Sequence, residues 1–215
     1  MNRDEALKLI VSRGFDEFFE KTKKLDCNEE RIRKFFDVIN GSIIIDTYSR
    51  IDIEECALKE IFPECYEMIC ICKHLYSSSD IYEYDPAKNG RNIIKHGLDF
   101  REVVSFSKRF GSLIIECPNT KGEDREVIFS DLNLEGKYKL VLPRVEGNEM
   151  MYVISVVKNI GGKIRFISSR ELSSKRGRYI SSVRQSIRDV SFPDLGSKKE
   201  FVERCIEIIE KNLIS

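Results

Sequence analysis

The chain has 215 residues, 41% of them hydrophobic, with Lys/Arg and Asp/Glu balanced at 36 each. That is enough apolar content for a packed core of one or two domains, and it excludes a disordered or fibrous chain. The seven cysteines are odd in number and lack framework spacing, so free thiols in a reducing, cytoplasmic setting are expected. The Asn2-Arg3-Asp4-Glu5 opening is unlike a leader, and runs such as Ile43–Ile45 are too short to span a bilayer.

Asn2 and Glu5 predict a capping box opening a helix over Ala6–Val11. Gly14 interrupts the pattern, after which Phe15, Phe18 and Phe19 recur at helical spacing. Asn28-Glu29-Glu30 starts a helix carrying Ile32, Phe35, Phe36 and Ile39, which Asn40-Gly41 ends. A further amphipathic helix is expected from Pro63 to about Leu75. Ser77–Asp80 reads as a polar linker closing an acidic helical domain, residues 1–78, of unassigned role.

Asp85 as N-cap and Pro86 at the first helical position open the next helix, with Gly97 as its left-handed stop. A short helix from Asp99 to about Ser107 follows. The period then becomes that of strands: Ser112–Glu116, Glu126–Ser130, Met150–Val157 and Lys163–Ile167, with Gly161-Gly162 as a tight hairpin. Ser168 and Glu171 predict a second capping box, opening a helix with Leu172, Tyr179, Val183, Ile187 and Val190 on one face, Arg176 among them. After the break at Phe192–Gly196, Ser197 and Glu200 cap a C-terminal helix within residues 191–215, with Phe201, Cys205, Ile208 and Ile209 as its stripe. The expected fold is α+β: a helical N-terminal domain, then a basic domain over residues 79–190.

The neutral total hides an asymmetry. Residues 1–80 hold 12 basic and 17 acidic residues, net −5, whereas residues 81–190 hold 20 and 14, net +6. Between Lys163 and Arg188 eight Lys/Arg stand against a single acid, Glu171. Such a cationic patch on a strand–helix corner suits a polyanion, or a phosphate whose chemistry needs no metal.

Residues 81–180 resemble the BrnT family, the toxin half of bacterial toxin–antitoxin pairs. The resemblance is carried, in family order, by Tyr84-Asp85-Pro86-Ala87-Lys88, by Asn92-Ile93-Ile94-Lys95-His96-Gly97 running into Leu98-Asp99-Phe100, by Gly122-Glu123-Asp124-Arg125, and by Gly161-Gly162-Lys163-Ile164-Arg165-Phe166-Ile167-Ser168-Ser169-Arg170. It implies a RelE-like fold of two helices, a four-stranded antiparallel sheet and C-terminal helices. It also implies metal-independent endoribonuclease activity on RNA, including ribosome-bound mRNA, and control by an antitoxin; it implies no DNA binding by the chain itself. Three departures stand beside it. Asp131–Glu149 is longer than the family's connection, Asn159-Ile160 occupies a usually basic position with only Lys158 nearby, and Glu171 follows the Ser-x-Arg motif where a basic residue is usual.

Metal-free RNA cleavage needs a base for the 2′-hydroxyl, an acid for the leaving oxygen and cations for the developing charge. Arg125, Arg165, Arg170 and Arg176 are the candidates for the charge, since a guanidinium grips phosphate bidentately. Glu123 and His96 are the acid–base candidates, with Glu171 and Tyr179 behind them, although a cap, a core or a helix-end role is open for each. Lys163, Lys175, Arg178, Arg184 and Arg188 are candidate RNA contacts. Cys65, Cys70, Cys72 and His74 are close in sequence but diverge around a helix, so core thiols are expected rather than a metal site. Neither a Walker loop nor a dinucleotide fingerprint is present, and no cofactor is expected.

Three readings stay open. One is a ribonuclease domain that the acidic front half masks in cis. Another is a catalytically degenerate module that keeps the fold to bind RNA, the ribosome or a protein. The third is a host-targeted effector.

Overall fold

The computed structural model describes residues 1–70, 81–107, 110–118, 124–132, 151–173 and 175–214. It is mixed α+β and divides into two compact units, the first holding residues 1–70 and 84–99 of the described chain and the second residues 81–83 and those from 100 onward. The Ser77–Asp80 linker and Glu123 lie outside the described residues, as does the greater part of the long Asp131–Glu149 connection. No described helix is long and apolar enough to cross a membrane.

The first unit is helical. α1 (Arg3–Thr22) opens on the expected capping box, in which Asn2 Oδ1 accepts the Glu5 N–H and the Glu5 carboxylate accepts the Asn2 N–H, both at 2.9 Å. Gly14, at φ +80°, kinks it. A 3-10 turn over Lys23–Leu25 leads to α2 (Glu29–Ile39), capped by Asn28 as expected. α3 (Thr47–Ile61) follows, then a single turn, α4 (Tyr66–Ile69), within the helix expected from Pro63 to about Leu75, of which residues 71–75 lie outside the described residues, and then α5 (Pro86–His96). Phe18, Phe35, Ile32, Ile53, Leu58 and Ile93 form the core, with Phe18 edge-on to Phe35 at 4.9 Å.

α5 differs from the sequence-based division at residue 78. Its Asp85 cap, Pro86 start and Gly97 stop are as expected, yet it packs on α3 inside the first unit. The reason is Gly90: a Cβ there would lie 2.0 Å from the Asp52 carbonyl oxygen, so the two helix backbones touch. Asn89 Nδ2 donates to Asp52 Oδ2 at 2.7 Å, and Lys59 pairs with Asp85 at 3.2 Å. The Arg31 guanidinium, nearly buried, donates to the last-turn carbonyls of Ile93 (3.0 Å), which also accepts the Gly97 N–H, and Ile94 (2.8 Å).

The second unit is built on a sheet. Its strands are β1 (Tyr82–Glu83), β2 (Leu113–Glu116), β3 (Arg125–Leu132), β4 (Met151–Ile160) and β5 (Lys163–Leu172), in the order β1-β5-β4-β3-β2. β2 to β5 form the expected antiparallel series, and the two-residue β1 adds a parallel edge on β5, so the described sheet is mixed and five-stranded rather than four-stranded and antiparallel. The hairpin at Gly161-Gly162 has both glycines at positive φ, as a tight antiparallel turn requires. α6 (Phe100–Phe106) brings Phe100, which stacks on Phe166 at 4.9 Å. The other face carries α7 (Arg176–Ser186) and α8 (Leu195–Asn212), which bury Tyr179, Val183, Phe201, Cys205 and Ile209 with Val127, Ile154 and Leu172.

Two helix starts are corrected. Ser168 and Glu171 do not cap a helix: β5 runs on to Leu172, Ser168 pairs with Val156, and Glu171 with Val153. The helix begins at Arg176 with Lys175 as its cap residue. The last helix is capped by Asp194, whose Oδ1 accepts the Ser197 N–H at 2.7 Å, rather than by Ser197 itself. Residues 191–214 share the core of the second unit and do not stand apart as an appended helix.

Candidate anion-binding face

The longer β5 rearranges the candidate residues. In the ladder, Arg125 on β3 is paired with Lys158 on β4, and Lys158 with Arg165 on β5. Paired residues stand about 5 Å apart, so three cations form one row across three strands. Val127, Phe129, Ile154 and Val156 on β3 and β4 belong to the core under α7 and α8, and by alternation Arg125 and Lys158 point to that same face. Like charges side by side repel, Glu83 beside Arg165 offsets part of that repulsion, and the row gives this face a concentrated positive potential.

A bulge enlarges the row. Arg165 and Arg170 are five residues apart, and strict alternation would put them on opposite faces. The register shifts between Val156 and Val157, leaving Ile167 as the extra residue. Arg165 then pairs with Lys158 and Arg170 with Ile154, four residues apart on β4 and therefore on one face. All four basic residues are half-buried.

The three arginines are held in place. Arg165 forms an ion pair with Glu83 on β1, its parallel partner in the ladder. Arg170 Nη1 donates to Gln185 Oε1 of α7 at 2.7 Å. Arg125 Nη1 donates to the Asp189 carbonyl, just past α7, at 3.3 Å. Such fixing lowers the entropy lost when an anion binds. The opposite face at this end of the sheet is acidic: Glu126 pairs with Glu116, and burial, Glu116 and Asp124 together push its carboxyl above the usual range.

Within the second unit Lys163, two residues before Arg165, lies on the row's face, whereas Arg176, Tyr179 and Glu171 do not join it. Arg176 begins α7, while Arg125 meets the chain just past its far end, roughly 16 Å along an eleven-residue helix. Arg176 is largely exposed and pairs with Glu210 of α8 at 3.1 Å. Tyr179 is buried and donates its hydroxyl to the same Glu210; burial and that carboxylate push its phenol above the ordinary value. Glu171 is adjacent to Arg170 on β5 and points to the opposite face. His96 ends α5 in the first unit. Lys163 is half-buried at the start of β5, and Lys175, Arg178, Arg184 and Arg188 are exposed along and beside α7. Cys56, Cys70, Cys117 and Cys205 are buried core thiols, whereas Cys72 and His74 lie outside the described residues.

Sequence reasoning missed Lys158 and Glu83. Lys158 was legible: reflection through the Gly161-Gly162 turn sets Ile160 opposite Lys163, Asn159 opposite Ile164 and Lys158 opposite Arg165. Glu83 was not, because a two-residue parallel edge strand leaves no periodic signal. The chain matches no family model, and no curated protein or solved structure matches it.

Proposed function

We propose that the second unit is an RNA-binding module that grips backbone phosphates through Arg125, Lys158 and Arg165, with Arg170 extending the grip along β5. The observation that carries this reading is the three-strand cationic row on one sheet face. A RelE-like arrangement is part of the same proposal, supported by the antiparallel series β2 to β5 leading into α7. The degenerate reading is favoured over the ribonuclease because, within the second unit, neither Glu171 nor Tyr179 stands beside the row. Glu171 points to the other face, and Tyr179 is engaged with Glu210.

The test is fluorescence anisotropy of the full chain with a labelled single-stranded RNA, titrated over a range of salt. Binding should weaken with salt, and Arg125→Ala, Lys158→Ala and Arg165→Ala should each lower the log–log slope by about 0.7 per lost phosphate contact. The same RNA incubated in EDTA should stay intact. Cleavage that is lost in Arg165→Ala and Arg170→Ala would restore the ribonuclease reading, and salt-independent binding would remove both.

A further inference from the structure

A groove of about 510 Å³ runs between α7 and α8, and none of its lining residues belongs to the cationic row. Its floor is aliphatic: Ile180 from α7, Val202 and Ile206 from α8. Its rim is cationic: Arg184 and Arg188 on one side, Lys198 and Lys199 on the other. Glu203 is the acid in the lining, and it stands 3.8 Å from Lys199 one turn away. At the mouth Leu195 is 87% exposed and extends the aliphatic floor to the groove's edge.

We propose that this groove docks an acidic amphipathic helix of a partner protein. The dimensions fit one. The α7 wall runs from Ile180 to Arg188 and the α8 wall from Leu195 to Ile206, about 12 and 16 Å, or two to three helical turns. A helix laid there would set an apolar stripe at i, i+3 or i+4, and i+7 on the floor, with Asp and Glu on its flanks against the two basic rims. Charge complementarity sets the partner's sign: four rim cations, of which Arg188 also pairs with exposed Asp189 at 3.5 Å, against one lining acid already engaged within its own helix. RNA fits less well, because bases are held by stacking on aromatic rings and none of the described lining residues is aromatic. Half of the groove comes from α8, which lies outside the BrnT resemblance, so it is a feature of this chain's own C-terminal helix.

The experiment uses a labelled helical peptide of about four turns, with Leu on one stripe and Glu beside it, and a scrambled peptide of the same composition. Anisotropy is measured on the full chain near physiological salt. The striped peptide should bind and the scrambled one should bind at least tenfold more weakly. The double reversal Arg184→Glu with Lys198→Glu should cost at least another tenfold with an unchanged circular dichroism spectrum. If that variant misfolds, Leu195→Asp carries the test, since its side chain is solvated and should weaken only peptide binding. Equal binding of the two peptides would overturn the proposal, as would affinity unmoved by these substitutions, no binding at millimolar peptide, or displacement of the peptide by single-stranded RNA. Weakened RNA binding with a lowered salt slope in Arg125→Ala, with peptide binding intact, is expected, and it separates this groove from the row on the sheet.

Discussion

Arg165 on β5 stands between two partners in the ladder, Lys158 on β4 and Glu83 on β1, and it forms an ion pair with Glu83. The carboxylate neutralises part of the row that the RNA reading requires. Glu83→Gln removes that charge and keeps a hydrogen-bonding group of the same shape. RNA affinity should therefore rise by threefold to tenfold, about 1 kcal/mol, the scale of a partly exposed pair. Arg165→Ala should move it the opposite way. Anisotropy titrations at fixed salt check both, and a fall in affinity for Glu83→Gln would mean that the pair orients Arg165 rather than competing for it.

Gly90 is a second point at which one atom decides. With its Cβ position 2.0 Å from the Asp52 carbonyl, Gly90→Ala must push α5 off α3. Overpacking of this kind costs about 3 kcal/mol. Arg31→Ala should cost somewhat less, about 2 kcal/mol, by taking the buried guanidinium from the Ile94 carbonyl and leaving Ile93 with the Gly97 N–H alone. Urea denaturation of the full chain should show the loss in the transition of the first unit for both variants. A Gly90→Ala protein as stable as the parent would contradict the close α3–α5 contact.

The helix ends and turns of this fold were legible because short polar side chains and glycines act locally. The Asn2 and Asn28 caps, the Asp85-Pro86 start, the Gly97 stop and the Gly161-Gly162 hairpin all form where the sequence places them. What local reasoning missed was set by distant contacts. α3 left no amphipathic signature because Asp52, Glu54 and Glu55 are buried on it, where Asn89, Arg3 and Arg50 reach them from elsewhere or from one turn away. Ser168 and Glu171 looked like a capping box, but pairing with β4 held them in a strand. The basic residues of the site were therefore visible as a cluster. Their division into a row on the sheet, a pair at Glu210 and a groove rim was not, since it follows from one bulge and from the place where β5 ends.

Cys117 and Cys205 lie in the core under α8, and burial pushes both thiols up to about 12 from an ordinary value of 9.0. They should stay unreactive toward a thiol reagent at neutral pH until the unit unfolds. The sign of the pH effect follows. Between about pH 9 and 12 the unfolded thiol ionises while the folded one keeps its proton, so stability is intact below 9 and falls above it. Each thiol contributes a slope of up to about 1.4 kcal/mol per pH unit in that window. Denaturation series at pH 8 and pH 10 check this, with the double substitution to Ala flattening the difference.

Tyr179 separates the structural from the catalytic reading of the strand–helix corner. Its ring is in the α7–α8 core, and its hydroxyl donates to Glu210, which also pairs with Arg176. Tyr179→Phe keeps the ring and removes the donor. It should cost about 1–2 kcal/mol, the range for a hydrogen bond to a charged group. RNA affinity and its salt slope should not change, because the row at Arg125, Lys158 and Arg165 is at the other end of α7. Glu210→Gln should reproduce the loss in part and leave the row equally untouched. If either substitution instead abolished an RNA-cleaving activity while stability held, Tyr179 would be acting on substrate and Arg176 would return to the site beside it.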